Sequence, residues 1–194
     1  MHLKKLYTSF LKNFSKDRNY IIHETSSIRE GAKILNFSNK KENLIIGKNT
    51  IIKGTLIVFA HSGKIVIGND TYVAHNTEIW SAKEVCIGSR CQIAHNVNII
   101  DTDSHPIDSK LRFQHFRDIV TKGFDSNKNS EVNINIRSSK ICIEDDAWIG
   151  IGSFITRGVT VEKEGIVGPM SYVVEDVPSR HVVMGNPARI IKTN

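Results

Sequence analysis

Long apolar runs, cysteines and aromatic side chains are all scarce in this sequence of 194 residues. No apolar run approaches the roughly 18 residues that a membrane-spanning helix needs. The first residues also lack the apolar region and cleavage site of a signal peptide, so we expect a cytoplasmic protein. The three cysteines show no metal-type spacing such as C-x-x-C, and we expect free thiols.

The composition favours one domain with a core of small side chains. Apolar residues make up 40% of the chain, but aromatic residues only 7%, and there are four prolines. The net charge is +6 and the pI is near 9.2, which favours anionic ligands or surfaces without selecting among them. We expect no nucleic-acid partner.

Isoleucine or valine recurs every six residues along most of the chain. The clearest run is Ile143, Ile149, Ile155, Val161, Val167 and Val173. A fixed short period is typical of a solenoid. We therefore predict a three-sided parallel β-solenoid of six turns, starting near residues 22, 46, 67, 87, 143 and 161. Glycine often follows the aliphatic residue, where the backbone must bend or approach another segment closely.

Aligning the turns predicts an apolar stripe on the outer surface. The residue after the third aliphatic position of turns one to four is Leu35, Phe59, Trp80 and Ile100. An exposed stripe of this kind usually marks an interface. It would be a contact between subunits or the seat of an N-terminal helix.

Two end segments break the period. Apolar residues recur at helical spacing within residues 1–20, opposite lysines. We expect an amphipathic helix that caps the first turn or packs on a neighbour, with a peripheral membrane contact as the alternative. The tail, residues 178–194, should lie across the last turns.

One long excursion, residues 101–140, separates coil residues 21–100 from coil residues 141–177. Such excursions from a compact repeat are usually functional or disordered. It begins with Asp101, Asp103 and His105, the last followed by Pro106. A histidine can take a proton from a hydroxyl, and a neighbouring carboxylate can orient it. His105 is therefore the candidate catalytic residue, with Asp101 and Asp103 as orienting or acceptor-binding residues.

Three motifs carry a family resemblance. They are HPID at 105–108, DDAWIG at 145–150 and GNPARIIK at 185–192. Together with the hexapeptide pattern, they resemble the hexapeptide-repeat acyltransferases over residues 65–192. The chain is similar to the maltose and galactoside O-acetyltransferases and to the capsule and O-antigen O-acetyltransferases. The resemblance implies a left-handed parallel β-helix, acetyl-CoA as donor, and a homotrimer with active sites between subunits.

The resemblance also implies direct acetyl transfer. His105 would act as general base on an acceptor hydroxyl, and a backbone N–H would stabilise the oxyanion. By resemblance that N–H comes from Ile151, just after Gly150.

Further donor contacts follow from the same resemblance, with two departures. Trp148 would line the groove, Gly168 would lie beside the donor, and Arg189 would meet the CoA phosphates. Packing of Trp148 against the excursion and a plain surface role for Arg189 are the alternatives. The two departures from the family pattern are Pro169, which has no N–H to offer the donor, and Glu175, whose negative charge would repel a phosphate.

Two histidines twenty residues apart, His75 and His95, should stack at one corner of successive turns. They have no third ligand at convincing spacing, so we expect no metal site. We place them, with Asn96, near the acceptor. The acceptor-binding asparagine of the galactoside enzymes falls at Ala74, which argues against a simple maltose or galactoside acceptor.

The sequence thus predicts an acetyl-CoA-dependent O-acetyltransferase. Its acceptor would be a sugar hydroxyl of a surface polysaccharide or of its precursor. The basic net charge would suit an anionic glycan. The alternatives are N-acetylation of an amino sugar nucleotide or antibiotic, and a non-enzymatic β-solenoid scaffold.

Overall fold

β-Branched residues lose side-chain freedom in helices and pack well on pleated surfaces, so the repeated segments form short strands. The computed structural model describes residues 18–60, 62–122 and 136–193. The described chain winds through three sheets, each visited once per turn. Sheet A contains β1 (Ile21–Ile22), β4 (Leu44–Ile46), β7 (Ile65–Ile67), β10 (Val85–Ile87), β13 (Ile141–Ile143) and β16 (Thr160–Val161).

Sheets B and C complete the three sides. Sheet B contains β2 (Ser27–Ile28), β5 (Ile51–Ile52), β8 (Tyr72–Val73), β11 (Gln92–Ile93), β14 (Trp148–Ile149), β17 (Ile166–Val167), β19 (His181–Gly185) and β20 (Ala188–Thr193). Sheet C contains β3 (Lys33–Asn36), β6 (Thr55–Val58), β9 (Glu78–Ser81), β12 (Asn98–Ile100), β15 (Phe154–Thr156) and β18 (Tyr172–Val173). All pairings between these strands are parallel except that of β19 with β20.

The register of sheet A confirms the predicted six turns. Its paired inward residues are, in order, Ile22, Ile46, Ile67, Ile87, Ile143 and Val161. The aliphatic side chains of the three sheets meet in one core along the coil axis, with Ile79, Ile99 and Ile155 fully buried from sheet C. The apolar burial of these side chains holds successive turns together.

Left-handed backbone at the corners lets the chain turn. Between sheets A and B, the residues with positive φ are Asn49, Asp70, Arg90, Asp146, Glu164 and Arg180. Close approach explains glycine after the aliphatic residue: a Cβ on Gly68 would lie 2.7 Å from the carbonyl carbon of Gly88. Side chains also join the turns, since the Thr71 hydroxyl donates to the Gly88 carbonyl at 2.9 Å and the Thr50 hydroxyl donates to the Gly68 carbonyl at 2.8 Å.

The predicted outer stripe is wrong at one position. Leu35 pairs with Ile57, and Ile57 pairs with Trp80, so Ile57 replaces Phe59 in the column. The corner between sheets B and C has two residues in turn two, 53–54, but four in turn three, 74–77. The shorter corner shifts the outward-facing positions of β6 by two residues. Gly54 makes the short corner possible, because a Cβ there would lie 2.3 Å from the Thr77 carbonyl oxygen.

The excursion leaves sheet C after β12 and contains a helix that the sequence pattern did not predict. This helix, α1 (Ser109–Lys122), begins after Asp108, whose carboxylate accepts the N–H groups of Lys110 and Leu111. Such a side-chain cap is a recognised start signal. A 3₁₀ helix, Lys41–Asn43, precedes β4.

The tail of the chain adds to sheet B. The tail forms the β19–β20 hairpin, and β19 extends sheet B beside β17. The predicted N-terminal helix falls mainly on residues 1–17, outside the described residues. In the part of the chain that is described, none of the helices combines the length and apolar character needed to cross a membrane.

Candidate active site

Asp101, predicted as an orienting or acceptor-binding residue, anchors the start of the excursion, because its described side-chain hydrogen bonds go to the 81–83 segment and not to His105. Its buried carboxylate accepts hydrogen bonds from the Ser81 hydroxyl at 2.7 Å and from the N–H groups of Ala82 and Lys83 at 2.7 and 2.9 Å. Burial raises the pKa of Asp101, against the opposing effect of these hydrogen bonds. Its described contacts therefore give it a structural role at the junction of β9 and the excursion.

Asp103 joins three separate segments of the chain. Its Oδ1 accepts from Nε of Arg157 at 2.6 Å, and its Oδ2 accepts from Nε of Arg137 at 2.7 Å. Arg157 follows β15, and Arg137 belongs to the returning end of the excursion. Burial alone would raise the pKa of Asp103, but the hydrogen bonds from Arg157 and Arg137 outweigh it and lower that pKa. Asp103 thus attaches the histidine segment to the coil.

His105 is exposed and is held from one side. Its backbone N–H donates to the Asp103 carbonyl at 2.7 Å. Its Nδ1 lies 3.1 Å from Nδ1 of His115, a residue of α1 that is only 5% exposed. Among the described residues, Nε2 of His105 has no hydrogen-bond partner in the structure. A histidine held through Nδ1 can present Nε2 to a ligand.

A groove of about 490 Å³ runs beside this segment on the outer face of sheet C. It is lined by Ile100, Thr102, Asp103, Ser104, Phe154, Thr156, Arg157, Tyr172 and Val174. The ring centroids of Phe154 and Tyr172, both in its lining, lie 5.4 Å apart. A smaller hollow of about 180 Å³ has His105, Asp103 and Arg137 in its wall. His105 therefore lines the smaller hollow, and its neighbours Asp103 and Ser104 line the larger groove.

His75 and His95 stack as predicted, with ring centroids 5.8 Å apart and planes 9° from parallel. They and Asn96 are exposed at the corner between sheets B and C. His105 instead follows β12, at the end of sheet C that leads to sheet A. Within one chain, the structure does not bring these residues together with His105. No group of three or more metal-ligating side chains is found in the described ranges.

The predicted donor residues lie on the same side as the stacked histidines. Trp148 is 53% exposed on sheet B, between Gln92 and Ile166. The carbonyl of Ile151 accepts from Met170, whereas its own N–H finds no acceptor among described residues. Gly150 is required by packing, since a Cβ there would lie 2.7 Å from the Val167 carbonyl oxygen.

Gly168 and Arg189 lie near the tail hairpin. A Cβ on Gly168 would meet the Met184 side chain at 2.6 Å. Arg189 forms an exposed ion pair with Glu175 at 3.4 Å, beside a hollow of about 300 Å³. The negatively charged Glu175 is thus paired with Arg189, the residue predicted to bind the CoA phosphates.

Known proteins resemble the chain in both sequence and structure. The Saccharomyces cerevisiae protein YJL218W, named as an acetyltransferase, is 31% identical over 132 residues, covering 68% of this chain and 57% of its own. The galactoside O-acetyltransferase of Lactococcus lactis is 30% identical over 91 residues, 47% of this chain and 35% of its own. The crystal structure of the polySia-specific acetyltransferase NeuO superposes with a TM-score of 0.68 at 29% identity, covering 90% of this chain and 71% of its own.

These relatives and the NeuO structure support the hexapeptide-repeat acyltransferase family as the one to which the chain is similar. Its coil is the left-handed parallel β-helix that the resemblance implied. No family model matches the sequence. This hexapeptide-repeat chain spans 57% of the length of the yeast relative and 35% of the lactococcal one.

Sequence reasoning missed several residues of this site. His115, Arg137, Phe154 and Tyr172 were not singled out. Asp108, a helix cap followed by helix-forming residues, was the signal that could have located α1 and with it His115. Nothing in the local sequence indicated the pairing of Asp103 with arginines 34 and 54 residues away.

Proposed function

We propose that the protein is an acetyl-CoA-dependent O-acetyltransferase that acts on a sugar hydroxyl of a surface polysaccharide or its precursor. The observation that carries this proposal is the exposed His105, held through Nδ1 in the wall of the 180 Å³ hollow, next to Asp103 and Ser104 of the groove on sheet C. The similarity of the chain to the hexapeptide-repeat acyltransferases supports acyl transfer as the reaction class, with acyl-CoA as donor.

The proposed reaction is direct transfer without a covalent enzyme intermediate. Nε2 of His105 takes the proton of the acceptor hydroxyl as the oxygen attacks the thioester carbonyl. The N–H of Ile151 stabilises the resulting oxyanion. The tetrahedral intermediate then collapses, the C–S bond breaks, and the proton on His105 passes to the sulfur of the leaving CoA.

We also propose that the active site forms between subunits of a homotrimer. Two positions support this. His105 follows β12 at the end of sheet C that leads to sheet A, whereas the donor residues Trp148 and Ile151 lie on sheet B and at its corner with sheet C. A second copy can bring its donor residues to the His105 of the first. We place the protein in the cytoplasm, where thiols stay reduced. The free thiols of Cys86, Cys91 and Cys142 are consistent with that location.

An anionic glycan is the acceptor class we favour. The net charge of +6 favours acidic ligands. The NeuO structure, which its name describes as specific for polySia, supports the same class. The aromatic pair Phe154 and Tyr172 offers flat apolar surface against which a sugar ring can pack.

An acceptor panel tests the proposal. Thiol release from acetyl-CoA would be measured with polysialic acid, a galactoside and an amino sugar nucleotide. We expect turnover with polysialic acid and a loss on the order of 10²–10⁴ in kcat for His105→Ala. Full turnover by His105→Ala would contradict the general-base role. Turnover with the amino sugar nucleotide alone would favour N-acetylation, and no thiol release with any acceptor would favour a scaffold.

A further inference from the structure

His115 is buried on α1 and meets His105 directly, yet general-base chemistry does not by itself require a second histidine. We propose that His115 is a positioning residue: its Nδ1 accepts the Nδ1–H of His105 and so holds His105 in the tautomer with a free Nε2. This inference rests on the proposed function of His105 as general base.

The distance between the two Nδ1 atoms, 3.1 Å, allows one proton between them. A neutral imidazole has one donor and one acceptor nitrogen. If His115 donated, the proton of neutral His105 would sit on Nε2, and that atom could not accept a proton from a hydroxyl. Only the arrangement with His105 as the donor leaves a base facing the ligand.

Burial favours the same arrangement. His115 is 5% exposed, and burial disfavours a charged imidazole. His105 is exposed, so the positive charge that forms when it takes a proton sits on the better-solvated ring. The ring planes meet at 63° with centroids 5.1 Å apart, an edge contact that suits a hydrogen bond between ring nitrogens.

The chain around α1 holds the two rings at this separation. Asp108 caps the helix, and Arg112 donates from Nη1 to the carbonyls of Ile107 and Pro106 at 2.7 and 3.2 Å. These contacts tie the segment just after His105 to the first turn of α1. His115 follows on the next turn of the same helix, so its position relative to His105 is set by local structure.

Two amide substitutions separate positioning from packing. In His115→Asn the amide can place its oxygen near the former Nδ1, whereas in His115→Gln it reaches the former Nε2. Both replacements are polar and similar in size. His23→Gln is the matched control at a histidine of turn one that contacts Thr25.

The first measurement is the tautomer of His105 in the ¹⁵N-labelled full chain, read by long-range ¹H–¹⁵N correlation. We expect Nδ1–H in the wild type, in His115→Asn and in His23→Gln, and a shift toward Nε2–H in His115→Gln. The second is kinetics with acetyl-CoA and polysialic acid. For His115→Gln we expect kcat to fall about 10–100-fold, the loss typical when a residue that orients a metal-binding histidine is replaced. We expect KM for acetyl-CoA to be unchanged.

An unchanged tautomer and kcat in His115→Gln would overturn the inference, as would equal losses in the Asn and Gln variants. Failure of the proposed function is distinguishable from this outcome. It would show as full activity of His105→Ala, whereas failure of the positioning role leaves His105→Ala inactive and His115→Gln active.

Discussion

Replacing Asp103 by Asn should loosen the histidine segment from the coil. Asp103 accepts from Arg157 at 2.6 Å and from Arg137 at 2.7 Å. The side chains of Asp103 and Arg157 are 24% and 30% exposed, and that of Arg137 is 58% exposed. An asparagine of the same size carries no charge and turns its NH₂ group toward one of the two guanidinium donors.

The magnitude follows from these exposures. A charge-assisted hydrogen bond contributes about 1.5–3 kcal/mol when shielded, and an exposed ion pair about 0.2–1 kcal/mol. We discount the Arg157 contact for its partial exposure and count the Arg137 contact as exposed, which gives about 2 kcal/mol in total. Opening of the segment should then become roughly 30-fold more frequent.

Hydrogen exchange measures this opening. The amide of Asp103 donates to the Arg137 carbonyl at 3.0 Å, and that of His105 donates to the Asp103 carbonyl. We expect both amides to exchange roughly 30-fold faster in Asp103→Asn. Asp146→Asn is the control, since Asp146 pairs with Arg90 at a distant corner. Unchanged exchange at His105 would refute the reasoning.

Acid should act in the same direction as the substitution. The pKa of Asp103 is lowered in the folded protein. Its stabilising contribution is therefore fully present above the ordinary carboxyl pKa of about 4 and is lost as pH falls through the lowered value. At neutral pH the attachment is intact.

Two further predictions concern the coil and the donor. Gly68→Ala places a Cβ 2.7 Å from the Gly88 backbone, so we expect a loss of about 1–3 kcal/mol and a lower melting temperature; an unchanged Tm would contradict the close-approach argument. Glu175→Gln should release Arg189 for the CoA phosphates and lower KM for acetyl-CoA about two- to fivefold, while Glu164→Gln, which releases Arg180, should leave KM unchanged. A KM unaltered by Glu175→Gln would contradict the role of Arg189.

The fold was largely predictable because its cause is local and repeats. Each inward isoleucine or valine is buried for the same reason as the one six positions earlier, so the period alone predicts three sides and six turns. The prediction failed at Phe59 because corner length varies, and the two-residue corner at 53–54 moved the register. The site was less predictable. His105 was identified from its motif, but its expected partner Asp101 is buried against the 81–83 segment.

The sequence by itself determined the coil and the stacking of His75 on His95, because both depend on spacing along the chain, and its HPID motif singled out His105 as the candidate base. Tertiary structure alone decided which distant groups meet, such as Asp103 with Arg157 and Arg189 with Glu175, whereas the local capping of α1 set His115 against His105. The physical reason is that charge and hydrogen-bond pairing depend on distance in space. The winding of the coil and the capping of α1 set those distances, and no period in the sequence records them.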